Sequence, residues 1–169
     1  MNFDFVFLGQ SVLKYQVPLE VFVGLNELYE TKKKDLPNAN KQLAGKIPDE
    51  VSLFYDGKDT SKMHRHSFVS EDILKWFYSV FKHYLDWNKT QKYTMDINSI
   101  WVNEMKANEY NPPHNHAEDL SFVIYLQVPA ELEKELKESE GVRATRGPGT
   151  INFGPIGIDM PFSIDTSLL

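Results

Sequence analysis

Cysteine is absent from the 169 residues. That absence removes disulfides, thiolate metal sites and cysteine nucleophiles together, and it fits a reducing compartment. Any metal chemistry has to use His, Asp or Glu. Positive charge is also scarce: 18 Lys and Arg stand against 24 Asp and Glu, a formal net charge of -6. A nucleic-acid partner held by phosphate neutralisation gets no support from this balance. Long apolar runs are missing as well, since none approaches the roughly 20 residues of a membrane helix. The start, Met1-Asn2-Phe3-Asp4-Phe5, carries an acid and no basic region, so it reads as a strand and not as a signal peptide. A soluble, cytoplasmic protein is expected, in the host cytoplasm if it is viral, with no membrane and no nucleic-acid partner.

What is present argues for a packed globule. Hydrophobic residues reach 41% and aromatic residues 13%, and disordered chains are poor in those aromatics. A chain of this size buries about two-thirds of its unfolded surface around one core, so a single domain over residues 1–169 is expected.

Along the chain, residues 3–8 and Val12–Val17 read as two strands joined by a turn at Gly9-Gln10-Ser11. Pro18 opens a helix in which Val21, Phe22, Leu25, Leu28 and Tyr29 recur at steps of three and four, with Lys32–Lys34 at its C-terminal end. Residues 37–62 are rich in Pro, Asn, Gly and Asp and read as loop, with a short helical turn near Lys41–Leu43. Ser70 reads as the N-cap of a second helix over about 71–88, with Ile73, Phe77, Val80, Phe81 and Tyr84 on one face. From Met95 to Met105 the pattern changes to period two, which predicts a strand. Ser121–Val128 is β-branched and aromatic and predicts another, ended by Pro129. The charged run 131–140 reads as a solvated short helix, and Thr150–Phe153 as a short strand.

Five histidines remain to be sorted. His83 falls within the second helix. His64 and His66 flank Arg65 in a polar loop, where a solvated role is the expected one. His114 and His116 share the same spacing in a different setting. In extended backbone, residues i and i+2 point to one face, so two imidazoles can converge on one ion. Pro112 and Pro113 stiffen the approach to His114, and an apolar strand is predicted just after the pair. That combination marks His114 and His116 as candidate metal ligands. Trp76, Trp87 and Met95 read as packing residues.

With Trp101-Val102-Asn103, Asn108-Glu109-Tyr110, His114-Asn115-His116 and Leu120-Ser121-Phe122-Val123-Ile124-Tyr125-Leu126, residues 95–130 resemble the Fe(II)- and 2-oxoglutarate-dependent oxygenases. Within them they resemble the prolyl-hydroxylase-like group of phages and marine bacteria. The resemblance implies an α+β fold: a double-stranded β-helix, or jelly roll, with N-terminal strands and two supporting helices, the helical support over about 17–88 and barrel strands over about 95–169. It implies Fe(II) as the metal and 2-oxoglutarate as co-substrate, with a protein or peptide side chain as the leading substrate class. His114 would be the first iron ligand, and His116 stands where the family most often has Asp or Glu. Asp119 or Glu118 would then supply the oxygen ligand, or the set would be all histidine; two histidines and a carboxylate leave open positions on iron for the co-substrate and dioxygen. Tyr110, one residue further from the histidine than is common, together with Tyr125 and Asn103, would contact 2-oxoglutarate.

The family order continues with a later His and an Arg. Here no histidine follows His116 and the last arginine is Arg146, so the barrel reads as C-terminally short. Two other readings follow from the same residues. One is a catalytically incomplete jelly-roll module with a binding or structural role in a virus. The other is a cupin-type metalloprotein, against which Glu118 comes too soon after the second histidine and the stretch Asn108–Pro113 before the first holds no Gly.

Overall fold

The computed structural model describes residues 12–40, 45, 47–54, 67–109, 111, 112, 114, 116, 118–132 and 134, with backbone alone at 151, 152, 163 and 164. It divides into two compact units, residues 14–114 and residues 1–13 with 115–169.

In the unit 14–114, the first helix, α1, spans Leu19–Lys32. Pro18 sits at its N-cap with extended geometry, and its carbonyl accepts the Phe22 N–H at 3.0 Å. Glu20 in the first turn and Lys32 in the last complement the helix dipole. The strand β1, Asp49–Ser52, follows, and then the helix α2, Glu71–Trp87. Ser70 caps α2 as expected, its Oγ accepting the Ile73 N–H at 3.4 Å, with Glu71 and Asp72 in the first turn. The strand β2, Trp101–Glu104, completes this unit.

The helices bury the faces their periodicity predicts: Val21 and Leu25 from α1, Ile73 and Phe77 from α2. They meet where α1 has no side chain. A Cβ built on Gly24 would lie 2.9 Å from Ile73 Cδ1. An alanine there gains about 1 kcal/mol of helix propensity but has to displace the end of a buried isoleucine. In an Ile73→Val background, which removes that carbon, Gly24→Ala should therefore stabilise, whereas alone it should be neutral or harmful. A double-mutant cycle by urea unfolding should return a coupling of about 1 kcal/mol; zero coupling would refute the close approach.

β1 and β2 pair antiparallel, with Asp49 opposite Glu104, Glu50 opposite Asn103, Val51 opposite Val102 and Ser52 opposite Trp101. On the other edge of β1, the Ala39 N–H donates to the Glu50 carbonyl at 2.9 Å and the Ser52 N–H to the Pro37 carbonyl at 2.7 Å. The loop expected over 37–62 thus contains a strand flanked on both sides. Leu53 continues the pairing, its N–H donating to the Ile100 carbonyl and its carbonyl accepting from Phe68.

Three strand expectations are corrected. Val12–Val17 forms no strand, and of the stretch 95–105 only Trp101–Glu104 joins a ladder. Ile97 and Ile100 are both buried while Met105 is 57% exposed, a spacing of three that breaks the period of two. Ser121–Val128 is also without strand, despite its composition. The expected elements at 3–8 and 41–43 lie outside the described residues.

In the other unit, β3, Ile151–Asn152, pairs antiparallel with β4, Ser163–Ile164, the first within the strand expected at 150–153. Residues 130–132 and 134 are helical, the start of the charged run. Among the described residues, no helix is long and apolar enough to cross a membrane.

Candidate functional site

His114 is exposed, and its Nδ1 lies 2.8 Å from the Pro112 carbonyl oxygen. A carbonyl only accepts, so Nδ1 is the donor in this contact, which restrains the ring as second partners restrain metal-bound imidazoles. Pro112 supplies that carbonyl, its ring fixing the local φ.

The boundary between the two units falls between His114 and Asn115. His116 and Asp119, in the unit that follows, are exposed. Tyr125 of that unit is half-buried, and burial pushes its hydroxyl above the ordinary value of 10.0, so it is a neutral donor at physiological pH. Tyr110, His64 and His66 lie outside the described residues. Among the described residues, no group of three His, Cys, Asp or Glu side chains is gathered for a metal. His83 has a packing role: its Nδ1 is hydrogen-bonded to Tyr15 Oη at 2.8 Å, with the rings edge-on at 86°.

Asn103 is where β2 places it, opposite Glu50, with its Oδ1 buried and without a partner among the described residues. Its neighbour Glu104 is held differently. Asp49 and Glu104 face each other across the ladder, a repulsive arrangement for like charges, and each is given a donor. Tyr29 Oη donates to Glu104 Oε2 at 2.5 Å, and Lys106 Nζ bonds Asp49. Burial first, and then the Glu104 carboxylate, push the Tyr29 hydroxyl far above its ordinary value. This bond ties α1 to β2.

The residue with the most unusual surroundings was not legible as functional. Glu50 is 2% exposed, its Oε1 has no donor among the described residues, and burial raises its carboxyl above the ordinary 4.5. A four-residue strand with acids at two positions carries little periodic signal, and an inward-facing Glu runs against the pattern that marks a core face.

No protein-family model, no curated protein and no solved structure matches the chain.

Proposed function

We propose that the chain is an Fe(II)- and 2-oxoglutarate-dependent oxygenase on a jelly-roll scaffold, hydroxylating a substrate of which a peptidyl side chain is the leading class. The observation that supports this reading is the exposed His114 imidazole of the His-x-His pair, held by its Nδ1 on the Pro112 carbonyl. His114, His116 and Asp119 are the ligands in this reading. Asn103, Tyr110 and Tyr125 serve the co-substrate, Tyr125 as a neutral hydrogen-bond donor to a carboxylate. When bound, Fe(II) and 2-oxoglutarate would let dioxygen act as the oxidant, one oxygen atom going to succinate as 2-oxoglutarate loses CO2 and the other to the hydroxylated substrate.

Protein reconstituted anaerobically with Fe(II) and then exposed to oxygen should convert 2-oxoglutarate to succinate. His114→Ala should abolish this conversion, and His83→Ala should retain it, because His83 is engaged with Tyr15. Protein that neither binds iron nor consumes 2-oxoglutarate would refute the reading.

A second reading, a non-catalytic binding module, is favoured by exposed apolar side chains just after the turn: Phe122 at 37% and Val123 at 53%. A substantial rise in Tm on adding Fe(II), lost in His114→Ala, counts against this second reading.

A further inference from the structure

The turn that ends α2 carries its lysines at a conformational cost. Asn88 is the C-cap, the Lys89 N–H donates to the Asp86 carbonyl and the Thr90 N–H to the Leu85 carbonyl, both at 3.0 Å. That pair of bonds is the Schellman ending of a helix, in which the residue just past the cap adopts left-handed backbone and is usually glycine. Here it is Lys89, at φ 56°, and Lys92 repeats the conformation at φ 52°. Among the described residues, the other side-chain-bearing residue with such a φ is Asn108, whose short polar side chain tolerates it. Lysine has no such compensation, and glycine would hold both positions with less strain. Cations do suit a helix C-terminus, but that benefit falls off beyond the last turn, and Lys92 lies well past Trp87, where α2 ends.

Both lysines are exposed, and no ion pair engages either among the described residues. The one acid between Lys82 and Tyr93 is Asp86. It is already held, by Lys82 Nζ at 2.6 Å and by the Tyr93 hydroxyl, which donates to it at 2.9 Å. The chain's net charge of -6 is therefore reversed locally, with two uncompensated cations on one turn. Beside them Trp87 is 56% exposed. A basic turn next to an indole left in water offers charge for phosphate and a ring for stacking.

We propose that this turn binds single-stranded nucleic acid, with Lys89 and Lys92 on phosphates and a base stacked on Trp87. Bases stack on aromatic side chains whatever their sequence, while cations follow the backbone. An acidic peptide would use the lysines and leave the indole without a role. An anionic bilayer would use both, but it calls for a broad apolar face, and Trp87 is the one large hydrophobic side chain exposed between Lys82 and Tyr93. The lysines then stand in left-handed backbone because phosphate needs their charge, at a cost in stability that glycine would avoid.

The test is fluorescence anisotropy of a labelled ten-residue oligothymidylate, titrated with the full chain at low ionic strength. Binding should weaken about 25-fold for a tenfold rise in KCl, as two phosphate contacts on a single strand require. The unlabelled oligonucleotide should quench tryptophan emission, and Trp87→Ala should lose most of that quench. The discriminating variants are Lys89→Gly and Lys92→Gly. Each should weaken binding several-fold and reduce the salt effect to about fivefold per tenfold KCl, while raising the urea midpoint of the free protein. A lysine kept only for the helix end would do the opposite, so a lowered midpoint in both glycine variants overturns the proposal, as does unchanged affinity in both. Absence of binding overturns it too. Equal affinity for an abasic deoxyribose-phosphate chain of the same length removes the base from recognition and refutes the stacked complex. Equal affinity for decaglutamate or for phosphatidylserine vesicles assigns the turn to a peptide or a membrane, and likewise overturns it.

Discussion

Replacing Phe77 with alanine should cost about 3–5 kcal/mol, the range for deleting a fully enclosed phenylalanine. Phe77 is 2% exposed and stands at the centre of the α2 face that packs on α1, one turn beyond Ile73. Its ring stacks on Phe81 at 6.2 Å between centroids and is tilted against Trp76 at 5.2 Å, so truncation also removes aromatic contacts. A domain holds only about 5–15 kcal/mol in all, so this one change should consume a large fraction of it. All three tryptophans, Trp76, Trp87 and Trp101, lie in the unit 14–114. Urea unfolding followed by tryptophan fluorescence therefore reports on that unit alone. The midpoint should fall sharply in Phe77→Ala and move little in Trp87→Ala, whose ring is 56% exposed. An equal loss in both variants would mean that the α2 core has been misplaced.

The same helices show what was legible in the sequence. α2 announces itself locally: a serine cap, acids in the first turn and apolar residues at three- and four-residue steps each act within a few residues. α1 does so too, through Pro18 and the Val21–Leu25 stripe. β1 does not, because its existence depends on partners far away in sequence, the segment 37–39 on one edge and Trp101–Glu104 on the other. Ser121–Val128 is the converse case. Its β-branched and aromatic residues state a preference for a pleated, half-buried surface, but preference does not supply a ladder, and the structure assigns it none. Of the candidate site, the His-x-His spacing and the prolines before it are local features of the sequence. The bond from the His114 ring to the Pro112 carbonyl is not, since it depends on which carbonyl meets the ring.

Glu50→Gln should make the protein more stable at neutral pH and leave it nearly unchanged near pH 4. Burial holds the Glu50 carboxyl above its ordinary 4.5 in the folded state, so folding favours the protonated form. The group's contribution is then fully present below 4.5 and is lost as pH rises through the folded value. Glutamine keeps the shape and a neutral group at every pH, so the difference between variant and parent should open as pH climbs from 4 towards 7. Its plateau should be about 1–3 kcal/mol, the scale of a buried polar group released from an unmet demand for a donor. Urea midpoints across that range, in phosphate and acetate, would measure it. A difference that stays flat with pH would show that Glu50 is satisfied at every pH by a donor of the chain itself.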